Sequence, residues 1–209
     1  MKTLYLYGLI TAMLLVAGCG HTHLVTVPPA IELKNHEPLG IIIFSSNAQG
    51  KLNKVVTQRV LEAMTEDQKL IRIIELGKQA EVLKEIGLNK WGLEAVKAIG
   101  DKYDVKTIIT GDIDVSKVKP HVSIGPGVLG VSADVEAKLT IRLQETETGA
   151  TLWSNSAADA RQVGEVSLFG GDWLNFDAQD PDRAYGDLAD DLAYRTTGDF
   201  RATYRRVRD

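Results

Sequence analysis

The chain has 209 residues, 44 % of them hydrophobic and 25 % charged, with a formal charge of −4. That apolar content excludes a disordered chain, and so mild an acidity gives no general attraction to nucleic-acid phosphates. A single cysteine excludes both an intramolecular disulfide framework and a multi-cysteine zinc site.

Lys2 is followed by an apolar run from Leu4 to Ala17 and then by Gly18-Cys19-Gly20. As a helix the run would rise about 21 Å, short of the roughly 30 Å of a hydrocarbon core. A positive start, a short apolar core and small residues before a cut point describe a secretory signal. Leu15-Val16-Ala17-Gly18-Cys19 resembles the lipobox of bacterial lipoproteins: an aliphatic residue, two small residues, then the cysteine. The resemblance implies cleavage between Gly18 and Cys19 and acylation (palmitate among the chains) of Cys19. The alternatives are a plain signal peptide that contains a cysteine and a retained membrane helix. Gly20 stands where an aspartate would favour inner-membrane retention, so the resemblance points to an outer-membrane lipoprotein facing the periplasm. Residues 1–18 are thus expected to be a signal peptide. Residues 19–38, broken by Pro28-Pro29 and Pro38, are expected to be a lipidated, irregular tether.

A periplasmic domain is expected over 39–209. Leu39–Phe44 is a continuous apolar run that suits a strand covered on both faces. Leu52, Val55, Val56, Val60, Ala63 and Met64 recur at helical spacing. A second strand is expected at Leu70–Leu76, helices near Lys78–Ile86 and Trp91–Gly100, and a third strand over Asp104–Val115. Strand, helix, strand, helices, strand reads as right-handed crossovers with helices covering a sheet. Val135, Ala137, Leu139, Ile141 and Leu143 alternate with polar residues, which predicts a long strand with one wet face. Glu147–Ala150 supplies a turn, and Thr151–Ser154 begins the return strand. The fold class is therefore α/β, a mixed β-sheet with flanking helices. Residues 159–179 show no clear period. Asp180-Pro181 opens a helix whose stripe runs through Tyr185, Leu188, Ala189, Leu192 and Thr196. Phe200, Tyr204 and Val207 continue the stripe, and whether Gly198 breaks it stays open.

Gly40–Phe44, Tyr103–Ile113 and Leu139–Trp153, in that order behind the lipobox-like segment, are similar to a family of bacterial envelope lipoproteins. Its members include the curli-secretion channel subunit CsgG, the penicillin-binding-protein activator LpoB and the exopolysaccharide-export lipoprotein PelC. The amino-terminal domain of TolB is similar. The resemblance implies a fold of the TolB-amino-terminal and CsgG kind, working by binding and assembly rather than as an enzyme, with no cofactor. It implies an accessory protein for another envelope component, such as a cell-wall synthase or a secretion or polysaccharide-export assembly. The alternative is a ring-forming subunit of an outer-membrane complex. A membrane pore is not expected. Lys117–Ser132 is too short for a membrane hairpin and is interrupted by Pro120, Gly125, Pro126, Gly127 and Gly130, and Asn155–Trp173 alternates only weakly.

Other constellations carry bland readings beside the chemical ones. Gly125-Pro-Gly-Val-Leu-Gly130 has the letters of a dinucleotide fingerprint, but a strand pattern follows where a helix is needed, and a loop is expected. His21 and His23 could hold a metal weakly, and a solvated segment is the plainer reading; His36 and His121 are isolated in sequence. Asp112 and Asp114 share a strand face at a spacing that acid–base pairs use, or simply face water at a strand end. Seven aspartates lie between Asp172 and Asp191, and arginines gather after Arg195. Part of this follows the helix dipole. The functional reading makes Arg201, Arg205 and Arg206 an arginine-rich face for an acidic partner, polysaccharide or neighbouring subunit, with Trp173 as an exposed contact. Trp91 and Trp153 are expected in or beside the core.

Overall fold

The computed structural model describes residues 22–48, 51–116, 119–125, 128–167 and 181–208. The chain forms two units: a larger one, Pro29–Arg201, and a smaller one built from its two ends.

In the larger unit, β2 (Leu39–Ile43) lies between β4 (Ile73–Lys78) and β5 (Thr107–Val115), parallel to both. The short β3 (Ser45–Ser46) prolongs β2 along β5. β7 (Val128–Glu145) runs antiparallel to three strands. Its 137–145 half pairs with β5 and its 128–134 half with β6 (Lys119–Gly125), while β8 (Thr151–Ser167) takes the other edge. The seven-stranded sheet is thus mixed, parallel where helices intervene and antiparallel beyond. The strand at 39–43, the three parallel strands and the long alternating strand match the sequence reading.

Helix α1 (Leu52–Thr65) buries Leu52, Val56, Val60 and Met64, one face at i, i+4 spacing. Thr57 on that face is buried but satisfied. Its hydroxyl accepts from the Phe44 N–H at 2.9 Å and donates to the Asn53 carbonyl at 2.6 Å. Helix α4 (Pro181–Thr196) buries Leu188, Ala189, Leu192 and Ala193. Together they form the main core with Ile41, Ile109, Ala137, Leu139, Ile141 and Leu143 from one sheet face. Each such Leu or Ile contributes about 1.5–3 kcal/mol by leaving water. On the opposite face, α2 (Gln79–Glu85) and α3 (Leu93–Tyr103) form a second cluster with Ile42, Ile108 and the partly buried Leu76, through Val82, Val96 and Ile99. Trp91 packs at the margin of this second cluster and Trp153 at the margin of the first, as expected.

Two close approaches set the packing. A Cβ on Gly111 would fall 2.6 Å from the Phe44 ring, so only glycine lets that buried ring lie across β5. A Cβ on Gly100 would fall 2.4 Å from Cβ of Thr146. Thr146 itself is fixed, because its hydroxyl bonds the Val105 and Lys106 carbonyls at 2.7 and 2.9 Å.

Several expectations are corrected. The segment 20–38 is not irregular throughout: Thr22–Val27 is a strand, β1, and Leu33–His36 a 3-10 turn whose Leu33 is fully buried. The stripe after Gly198 is not helical. Helix α4 stops at Thr196, a 3-10 turn spans Gly198–Phe200, and Thr203–Arg208 is a strand, β9. β1 and β9 pair antiparallel from Thr22↔Arg208 to Val27↔Thr203 and make up the smaller unit's two-stranded sheet. Each segment alone reads as loop or helix, because its pairing partner lies at the other end of the chain. The second strand begins at Ile73, leaving Leu70 93 % exposed before it. Lys119–Gly125 and the start of β7 form a hairpin despite the interrupting Pro120, which falls next to the first residue of β6, where a proline is tolerated. The return strand that begins at Thr151 runs on to Ser167, into the stretch where the sequence shows no clear period.

Candidate interaction surfaces

The cleavage and lipidation residues Gly18 and Cys19, together with His21, Trp173 and Phe176, lie outside the described residues. Of the other histidines, His23 is an exposed residue of β1, and His121 lies in β6. His36 is half-buried in the 3-10 turn, where burial lowers its pKa and the Glu145 charge opposes that shift. No cluster of His, Cys, Asp and Glu suited to a metal occurs among the described residues. Gly125 closes β6 and Val128–Gly130 opens β7, so the glycine motif bridges two antiparallel strands. A pyrophosphate site needs a helix amino terminus there, and this arrangement has none.

Asp112 and Asp114 do share one face of β5, and both are engaged. The Ser45 hydroxyl donates to one Asp112 oxygen, and Arg142 Nη1 donates to the other at 2.9 Å. Asn47 Nδ2 donates to Asp114 at 2.6 Å and to the Val115 carbonyl at 3.1 Å, while Asn47 Oδ1 accepts from the Val115 N–H at 2.8 Å. Asn47 therefore imitates one more strand residue, and the two carboxylates fasten the β3 loop to β5. The arrangement is a structural clasp in which both carboxylates already hold donors.

The same clasp borders a broader feature. The β5–β7–β8 register lines up Asp112 with Thr140 and Ser156, and Asp114 with Lys138 and Ala158. These side chains are exposed or half-exposed on the sheet face away from α1 and α4. Among the described residues, helices α2 and α3 pack on the sector around Leu76, Ile42 and Ile108. The result, among the described residues, is a polar, small-residue sheet face without a covering helix, carrying both signs of charge, and it matches the wet face expected of β7.

The arginines do not form one surface. Arg201 is 8 % exposed, with its guanidinium 3.5 Å from the Tyr194 ring centroid and Nη2 donating to the Tyr194 carbonyl. It acts as a packing residue at the end of α4, and its buried Nη1 has no partner among the described residues. Arg205 and Arg206 are both exposed in β9, but as neighbours in a strand they point to opposite faces. The aspartates of α4 are also used within the fold: Asp190 pairs with Arg59 of α1 at 2.9 Å, and Asp191 with Arg161 of β8. A shallow groove of about 500 Å³ between α1 and α4 is lined by Arg59, Asp190, Asp191, Glu62, Glu66 and Tyr194.

One residue escaped the sequence reading. Gln68 follows α1 and ties the entering and leaving segments of the larger unit together. Its Nε2 donates to the Ile31 and Phe200 carbonyls at 3.1 and 2.6 Å, and its Oε1 accepts from the Leu33 N–H at 2.9 Å. Beside it the Ile31 N–H donates to the Asp199 carbonyl at 3.0 Å. Trp153 Nε1 donates to the Asp199 carboxylate at 2.9 Å, and its ring meets Phe200 edge-on at 4.7 Å. A glutamine in a polar stretch carries no local sign of such a role.

No protein-family model matches the chain, and no curated protein matches it. Solved structures similar to it include the PelC dodecamer of Paraburkholderia phytofirmans, at 9 % identity and TM-score 0.41 over 86 % of this chain and 97 % of that one. The LpoB carboxy-terminal domain of Salmonella enterica is similar at 13 % identity and TM-score 0.39, over 64 % and 84 %. A lipoprotein of Neisseria meningitidis is similar at 14 % identity and TM-score 0.36, over 59 % and 82 %.

Proposed function

We propose that this chain is a lipid-anchored accessory protein of the bacterial envelope, acylated at Cys19, whose α/β domain binds another envelope component. The observation that carries the reading is the sequence Leu15-Val16-Ala17-Gly18-Cys19 placed directly after a short apolar run. Anchorage confines the domain near one membrane and raises its effective concentration for a partner there. A single acyl chain binds reversibly and several hold durably, at about 0.8 kcal/mol per buried methylene. The reading assigns partner contact to the uncovered face of β5, β7 and β8, where Thr140 and Ser156 sit at the centre. It assigns binding rather than catalysis, in keeping with the hydrogen bonds that already occupy Asp112 and Asp114. The partner is a cell-wall synthase or a secretion or polysaccharide-export assembly, and the outer membrane is the proposed location. No helix among the described residues is long and apolar enough to cross a membrane.

The test places a photo-crosslinking residue at Ser156 of the full chain in its native cell. The expected result is a discrete adduct with one envelope protein or glycan, absent when the probe sits at Lys97 on α3. No adduct at Ser156, or equal adducts at both positions, contradicts the proposal.

A second reading, a ring-forming subunit, is favoured by unlike outer strands of the sheet among the described residues, β4 at one side and β8 at the other. Head-to-tail contact between unlike edges generates closed rings when the rotation permits. Light scattering of the unlipidated chain decides it. A discrete oligomer supports the ring, and a monomer at high concentration excludes it.

A further inference from the structure

The two-stranded sheet of β1 and β9 has an exposed composition that suits a partner surface. An isolated pair of strands is marginal in water, because it has too little surface to bury. Both strands are exposed along almost their whole length. Their register sorts the side chains, since directly paired residues project to the same side. One side carries Leu24 beside Arg206, Thr26 beside Tyr204 and Thr22 beside Arg208. Leu24 is 65 % and Tyr204 69 % exposed. The other side carries Val25 beside Arg205 and His23 beside Val207. Neither strand contains a carboxylate.

We propose that the Leu24–Tyr204–Arg206–Arg208 side of this ribbon lies flat on an anionic phospholipid surface. An aromatic residue with a polar tip, an exposed leucine and two guanidinium groups form the set that suits the boundary between headgroups and acyl chains. Phospholipid phosphates supply the complementary charge, at about 1 kcal/mol per basic residue near the surface, or about fivefold in binding. The proposal rests on the reading of Cys19 as the anchor. Two residues, Gly20 and His21, separate Cys19 from Thr22, a reach of at most about 11 Å when extended. The ribbon therefore starts within one headgroup layer of the acylated sulfur. The membrane takes the place of the third strand or helix that such a pair needs, so the domain is held at two points.

The experiment uses the acylated full chain with a single new cysteine, Thr26→Cys or Val25→Cys, labelled with a polarity-sensitive fluorophore. With Cys19 consumed as a thioether, the new thiol is the sole reactive one. In vesicles of equal phosphatidylglycerol and phosphatidylcholine at low salt, the Thr26 label shifts to the blue and the Val25 label does not. The shift is lost in 0.5 M salt and in pure phosphatidylcholine. Arg206→Gln with Arg208→Gln lowers docking about 30-fold, while Arg205→Gln leaves it within about twofold. Equal response of the two labels, or persistence in phosphatidylcholine or in the double variant, overturns the proposal. So does a shift that follows protein concentration without vesicles, which makes a second copy the occupant. Intact mass reads the anchor separately: a bare Cys19 removes the anchor reading, and the two labels, then placed in a Cys19→Ser background, still decide the ribbon.

Discussion

Replacing Gln68 with alanine tests whether the clamp between the chain's entering and leaving segments carries stability. The substitution removes three hydrogen bonds, to the Leu33 N–H at 2.9 Å, the Ile31 carbonyl at 3.1 Å and the Phe200 carbonyl at 2.6 Å. Each contributes a net ~1 kcal/mol, and a partner left buried and unpaired costs more. The site is half-buried, so water restores part of what is lost. The expected loss is therefore about 2–3 kcal/mol by urea unfolding, or a fall in Tm of about 5–10 °C for a chain of this size. Gln68→Glu keeps the acceptor for Leu33 but sets an anion against two carbonyl oxygens. At pH 7 it should be at least as destabilising as alanine, and it should recover stability as the acid protonates and one donor returns. Hydrogen exchange at the Ile31 amide, bonded to the Asp199 carbonyl, should accelerate in both variants. A Gln68→Ala protein within 0.5 kcal/mol of its parent, with unchanged exchange at Ile31, would refute the clamp.

Gly100→Ala sets a methyl 2.4 Å from Cβ and 2.7 Å from Oγ1 of the fixed Thr146 and should cost about 1–3 kcal/mol, and adding Thr146→Ser should recover little of it, because serine keeps both atoms and loses only the methyl at 3.2 Å; denaturant unfolding of the single and double variants checks both. Asn47→Ala opens the strand-like clasp on β5 and should cost about 1–2 kcal/mol while leaving the Asp112–Arg142 pair in place; an unchanged unfolding midpoint contradicts the clasp. Burial lowers the pKa of His36 below its ordinary value of 6.5, so the folded chain holds fewer protons there than the unfolded one. Stability is then flat above that value and declines as the pH falls through the lowered one, and His36→Gln should flatten this part of the profile in unfolding experiments at successive pH values.

The parts of the fold visible in the sequence are those whose pattern is local. Leu39–Ile43 is covered on both faces and reads as an unbroken apolar run, α1 repeats its core residues at helical spacing, and β7 alternates because one face is wet. What stayed hidden is non-local. β1 and β9 become strands only by pairing with each other, so the apolar stripe through Phe200, Tyr204 and Val207 imitates a helix. Among the arginines, charge alone did not distinguish Arg201, stacked on Tyr194 and buried, from the exposed Arg205 and Arg206 on opposite ribbon faces. Within the acid-rich stretch of α4, Asp190 and Asp191 likewise pair with Arg59 and Arg161, distant in sequence and close only in the fold. The wet face of β7 was legible, but its continuation across Ser156 and Asp112 depends on register, which pattern alone does not fix.

The central claim is that a thioether-linked lipid holds this domain at a membrane. Intact-mass analysis of the chain purified from its native envelope tests it most directly. The expected species begins at Cys19, lacks residues 1–18 and carries the added mass of a diacylglyceryl group with further acylation. A chain that retains those residues, or that begins elsewhere with an unmodified Cys19, contradicts the claim.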